Sequence, residues 1–184
     1  DYAIPGSRFH GRAENKREWK DDKRSYKVVF VAHCALNQNA RMIYCADFPA
    51  RFEQLNGFLG ERQVGIVQMP CPELYCLGLG RDDVRPGLEH PQGMKRLARL
   101  IDDIVYTVRE YLFQEFRVIA ILGKEGSPSC GVAETWLDDR HQPGEGVFIR
   151  ELKKRLAAEQ LDIPVKGVAD FRQEETIEWL KGRV

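Results

Sequence analysis

Three largely apolar runs in this chain each lead into a cysteine, and that repeated arrangement narrows the available folds more than any other feature. Val28-Val29-Phe30-Val31-Ala32 passes through His33 to Cys34, and Val64 to Met69 passes through Pro70 to Cys71. Val118-Ile119-Ala120-Ile121-Leu122 is followed by the turn Gly126-Ser127-Pro128-Ser129-Cys130-Gly131. Short continuous apolar runs are the pattern of strands covered on both faces, as in a parallel sheet. Helical signals separate them. Met94, Leu97, Ile101, Ile104, Val105, Val108 and Leu112 recur at helical spacing and place one apolar face on a long helix. Phe148, Leu152 and Leu156 mark another helix, Pro164 to Ala169 a short fourth strand, and Glu174 to Lys181 a closing helix. Strands alternating with helices predict an α/β fold: a single-domain, open, parallel, Rossmann-like sheet with helices on both faces. Right-handed crossovers put the C-terminal ends of all its strands on one side, where sheets of this kind bind ligands. The three cysteines are therefore expected to meet at those strand ends, beside a turn of small residues where packing gives no reason for a thiol.

Composition excludes several classes. Lys and Arg number 28 and Asp and Glu also 28, so no net field favours nucleic acid or an anionic membrane. No apolar run approaches the ~20 residues needed to span a bilayer. The opening Asp1-Tyr2-Ala3-Ile4-Pro5 has no charged-then-apolar signal pattern, and a cytoplasmic protein is the expectation. From Arg12 to Arg24, ten of thirteen residues are charged, with Trp19 the one large apolar side chain. Residues 1–25 thus read as a charged N-terminal arm and residues 26–184 as the α/β domain.

Five cysteines, an odd number, argue against a fully paired disulfide framework and leave metal ligands, catalytic thiols or buried residues. Three preorganised thiolates suit a soft metal. They leave a tetrahedral zinc one ligand short, and would leave one iron of a 4Fe–4S cluster open. Separations of 37 and 59 residues along the chain match no local metal motif, so spacing does not choose between them. A non-catalytic iron–sulfur or zinc module for redox sensing or binding, and a metal-free thiol enzyme using Cys130 as nucleophile, are the competing classes.

Cys-Pro-Glu at 71–73 and Ser-Pro-Ser-Cys-Gly at 127–131, preceded by the strand-end Cys34 with Arg41 downstream, resemble the 2-thiouracil desulfurase family over roughly residues 27–135. The resemblance implies a 4Fe–4S cofactor held by Cys34, Cys71 and Cys130, an open cluster iron that binds the sulfur of a thiolated pyrimidine base or similar small thiocarbonyl compound, and water replacing that sulfur. A carboxylic acid and a serine assist in that family. By position these are Glu73, as general base or proton donor, and Ser127 or Ser129. The pattern departs from the family in two places. Cys34 is followed by Ala-Leu-Asn where the family has Leu-x-Gly, and Arg41 by Met42 in place of Tyr. Cys-Pro-Glu is followed by Leu-Tyr-Cys-Leu-Gly-Leu-Gly-Arg in place of a Gly-Gly turn and Pro-x-Arg. Both changes flank the expected substrate pocket and bear on which substrate is taken.

Among the remaining candidates, Arg41 and Arg81 read as counter-charges to a cluster, as substrate clamps, or as ordinary surface arginines. Asn37 and Asn39 read as hydrogen-bonding to a base edge or as forming a turn. His33 reads as structural, because neighbours on a strand face opposite ways, and Cys45 as a buried hydrophobe on a loosely helical segment from Ile43 to Leu59 that Pro49 interrupts. Cys76, five residues past Cys71 in the same stretch, reads as a plain buried residue or as a substitute or additional ligand. Lys124 and Glu125 are expected to solvate the turn. The stretch from Cys71 to Pro91 is expected to be a long irregular loop shaping the site.

Overall fold

The computed structural model of the chain describes residues 22–184. The predicted charged arm lies outside the described residues except for positions 22–25, which have no regular structure and are exposed. Four parallel strands form the sheet: β1 (Lys27–Ala32), β2 (Gly65–Met69), β3 (Arg117–Lys124) and β6 (Val165–Val168), in the order β2-β1-β3-β6. Between β3 and β6 the chain makes a separate antiparallel hairpin, β4 (Glu134–Leu137) and β5 (Arg140–Pro143).

The side-chain alternation of β1 divides the core. Val28, Phe30 and Ala32 face the long helix α5 (Pro91–Phe113) and α6 (Val147–Ala158), packing with Leu97, Ile101, Val105, Phe148 and Leu152. Val29 and Val31 face α2 (Glu53–Glu61) and α7 (Gln173–Lys181), packing with Leu55, Leu59 and Leu180. Each such buried aliphatic chain contributes about 1.5–3 kcal/mol relative to exposure. Helices therefore cover both faces, as the continuous apolar runs require.

The chain passes from β1 to one neighbour, β2, then crosses back to β3 on the other side of β1. Strand order reverses between β1 and β3, and the crevice beyond the carboxyl ends of those two strands is the usual ligand position in open α/β sheets.

Local structure differs from expectation in four places. The helix expected from Ile43 forms only over Glu53–Glu61; residues 41–52 are irregular, since Pro49 cannot donate to a helical ladder and Tyr44 lies at φ 67°. Cys45 is accordingly half-buried outside any helix. The stretch after Cys71 is not irregular: it forms α3 (Pro72–Leu77) and α4 (Val84–Glu89). Pro72 begins α3, where its missing N–H costs nothing, and Gly78, at φ 94°, ends it. The β4–β5 hairpin was not anticipated; its turn is Asp138-Asp139, both with positive φ, a pair that tolerates the I′ geometry tight hairpins need.

The first helical turn of α6 sits against the Ser-Pro-Ser-Cys turn, with Gly146 N donating to Gly131 O at 3.0 Å and Phe148 N to Ser129 O at 3.0 Å. A Cβ on Gly146 would overlap the Ser129 carbonyl and the Cys130 amide. Gly146→Ala is expected to cost about 1–3 kcal/mol by overpacking. Gly57→Ala, on the exposed side of α2 with nothing within 4 Å of the added carbon, is expected to stabilise by about 0.5–1 kcal/mol; urea denaturation of the two variants checks both signs.

Candidate functional site

Each of the three cysteines is held by the element that follows its strand. Cys34 is the second residue of the one-turn helix α1 (His33–Leu36), directly after β1. Its carbonyl accepts from Gln38 Nε2 at 2.6 Å, and Gln38 is itself buried. Cys71 is the N-cap of α3, and its Sγ accepts from the Leu74 amide at 3.4 Å. Pro70 and Pro72 on either side restrict φ, so this thiol leaves a stiffened backbone. Cys130 lies in a turn that its own serine ties: Ser127 Oγ accepts from the amides of Ser129 at 3.2 Å and Cys130 at 3.0 Å. The Cys130 carbonyl accepts from Lys124 N at 3.0 Å, closing the turn onto the end of β3.

The side chain that links α3 to this turn is Glu73. One carboxylate oxygen accepts from Ser129 Oγ at 2.6 Å and from Ser127 Oγ at 3.2 Å; the other accepts from Arg81 Nε at 3.0 Å. Ser129 Oγ also reaches Cys130 Sγ at 3.6 Å. Arg81, only 2% exposed at its side chain, spends its remaining donors on the carbonyls of Gly78 and Ala40. It is a buried prop for Glu73, with each of its three nitrogens donating to a protein acceptor. A carboxylate, two hydroxyls and a thiol thus form one connected hydrogen-bonded group.

All three site thiols are pushed up in pKa. Burial raises Cys34 to about 12, with Cys71 adding to the rise while Lys124 and Arg41 oppose it. Burial also raises Cys71. Burial raises Cys130 well above its ordinary value, with Cys71 and Cys34 adding to it. The thiols are close enough to repel one another as anions, so three thiolates are costly here unless positive charge sits among them. That donor set fits a cationic metal group and suits a metal-free nucleophile poorly, because a neutral thiol attacks slowly. Among the described residues no three His, Cys, Asp or Glu side chains converge on a single metal ion.

Asn37 and Arg41, also expected at the site, have partners of their own. Asn37 is exposed, and its side-chain oxygen caps a 3-10 turn at Gln38–Ala40 by accepting from the Asn39 amide. Arg41 pairs with Asp47 at 2.8 Å and Asp170 at 3.0 Å. Cys76 is buried in the core beside α5. His33 is half-buried, with Nδ1 enclosed and without a hydrogen-bond partner. Two residues expected in solvent are not there. Lys124 is buried and paired with Asp170, and Glu125 accepts from the amides of Val132, Ala133 and Glu134, holding the chain that leaves the cysteine turn. Gln38 was missed; a glutamine in a polar loop carries no sequence signal for burial.

Fold and site together define an open parallel α/β protein with three cysteines at its strand ends and a carboxylate–serine pair joined to one of them. No protein-family model matches the chain. It is 24% identical over 143 residues to an uncharacterized protein of Methanocaldococcus jannaschii, covering 77% of this chain and 84% of the relative. Among solved structures it has the fold of the 4Fe-4S-dependent thiouracil desulfidase TudS, with a TM-score of 0.52 and 19% identity, over 84% of this chain and 98% of that one.

Two predictions rest on this geometry. Arg81→Met leaves Glu73, whose side chain is 13% exposed, without its cation, and is expected to destabilise the fold by about 3–5 kcal/mol, measured as a fall in the urea midpoint. In the metal-free protein the Cys34 thiol titrates above its unfolded value, so the folded state binds more protons and stability falls as pH rises. That contribution is intact below pH 9 and lost towards pH 12. Cys34→Ala is expected to lose less between pH 9 and pH 10 than the parent, by at most about 1.4 kcal/mol per pH unit.

Proposed function

We propose that this protein is an iron–sulfur-dependent desulfurase that removes sulfur from a thiolated pyrimidine base of the 2-thiouracil type, or from a similar small thiocarbonyl compound. The observation that carries the proposal is the Glu73–Ser127–Ser129–Cys130 network: a proton-handling carboxylate meets two hydroxyls within one side chain of a thiol. The 2-thiouracil desulfurase resemblance in Cys-Pro-Glu and Ser-Pro-Ser-Cys-Gly supports it, as does the fold shared with a 4Fe-4S-dependent thiouracil desulfidase.

Cys34, Cys71 and Cys130 would hold a 4Fe–4S cluster, which is several atoms across and needs its thiolates farther apart than one zinc ion does. Bound there with one iron free of protein ligand, it would supply a soft Lewis acid for a thiocarbonyl sulfur. The chain's own residues handle the protons and the orientation. Arg81 pins one oxygen of Glu73, which turns the other toward the serines and fixes where a proton is taken or given. Ser129 Oγ, between Glu73 and Cys130 Sγ, is placed to pass that proton or to hold a substrate heteroatom, and Ser127 Oγ keeps the turn closed around it. The buried thiols release protons on metal uptake, so loading is coupled to pH.

Anaerobic reconstitution is expected to give a brown protein with about four iron and four sulfide per chain, which releases sulfide from 2-thiouracil or another member of a panel of thiolated bases. Cys34→Ser, Cys71→Ser and Cys130→Ser are expected to lose the colour. Glu73→Gln should keep the iron while sulfide release falls about 10²–10⁴-fold. A parent protein that stays colourless after reconstitution sinks the proposal; one that binds iron but desulfurises no member of the panel favours a redox-sensing module.

A further inference from the structure

Lys124 ends β3, just before the cysteine turn, and its side chain is 8% exposed. A buried ammonium is costly unless it is paired, and an apolar side chain would fill the same place without that cost. Here Nζ meets Asp170 Oδ2 at 2.5 Å and donates to the Glu125 carbonyl at 2.7 Å. Asp170, in the loop after β6, also takes Arg41 Nη1 at 3.0 Å on its other oxygen. Two cations therefore share one enclosed carboxylate. Asp47, the second partner of Arg41, is 36% exposed, so its charge is more fully screened by water. The group is formally neutral, two cations against two carboxylates of which only Asp170 is enclosed, and Glu73 lies outside it because Arg81 already matches that carboxylate.

The register shows on which face of β3 the Lys124 side chain lies. Val28 pairs with Val118 but Val29 with Ala120, so Ile119 is an extra residue in β3. Ile119 and Ala120 consequently both face the α2 and α7 side. The bulge inverts the alternation beyond it. Gly123 faces α6, where an added Cβ would meet Ile149, and Lys124 faces the opposite side, toward Asp170. Val31 pairs with Leu122, which puts Lys124 level with the β1–α1 junction beside Cys34. Its amide holds the Cys130 carbonyl at 3.0 Å.

We infer that Lys124, held by Asp170 and reinforced by Arg41, is the counter-charge of the thiolate site. It offsets the negative charge that Cys34, Cys71 and Cys130 bring to a bound iron–sulfur cluster and so sets the cluster's reduction potential. The inference rests on the cluster reading above. Reduction adds negative charge, which a nearby cation stabilises, so Lys124 raises the potential.

The test compares the reconstituted parent with Lys124→Met, Lys124→Arg and Asp170→Asn, measuring iron per chain and the midpoint potential by EPR-monitored titration with dithionite. Lys124→Met is expected to keep its iron with a more negative potential, Lys124→Arg to stay near the parent, and Asp170→Asn to move to a more positive potential. Should Lys124→Met fail to fold, the opposite shift in Asp170→Asn, with none in Lys124→Arg, still decides the matter. Iron-loaded proteins with indistinguishable potentials overturn the counter-charge role and leave the cluster reading standing; a parent that takes up no iron overturns both.

Discussion

Parallel pairing of β1 with β3, with β2 and β6 outside them, is the constraint on which the rest of the structure depends. It buries both faces of the two central strands, which accounts for their continuous apolar sequences. It also reverses the strand order between them, opening a crevice that two of the three cysteines flank. Crossover topology brings the third to the same edge at the end of β2. The site is therefore a consequence of how the sheet is wound, and no local motif has to carry ligands in sequence proximity.

A second set of contacts turns that edge into a chemical site. Three thiols, two buried and one half-buried, that repel one another as anions make a poor resting arrangement by themselves. Around them the chain places two buried ion pairs of different character. Arg81 with Glu73 is balanced and serves the serines. Lys124 and Arg41 share the enclosed Asp170, with the more exposed Asp47 as Arg41's second partner.

Much of this was legible in the residues. The central strands, the long helix α5 and the closing helices follow from unbroken apolar runs and from a helical period held over seven apolar positions. What failed to read had physical reasons. Residues 41–52 carry helix-compatible composition, yet Pro49 and the positive φ at Tyr44 break the ladder, and tertiary ion pairs from Arg41 hold the segment. The α3 and α4 turns lie among prolines and glycines that usually mean loop; here Pro72 and Gly78 mark the start and stop of a helix. Asp138-Asp139 is a weak hairpin signal because neither residue is glycine or asparagine. Lys124 and Glu125 look like surface residues by type, and burial of a charge is decided by partners far away in the chain.

Sequence alone determined the α/β class and the meeting of Cys34, Cys71 and the Ser-Pro-Ser-Cys turn at one sheet edge, because both follow from periodicity and from the handedness of parallel crossovers. Tertiary structure decided which polar side chains surround those thiols. Glu73 meets Ser129 across 56 residues and Arg41 meets Asp170 across 129, contacts with no local signature. The one-residue bulge at Ile119 decided the direction of Lys124, since an inserted residue inverts the side-chain alternation downstream and only strand register reveals it.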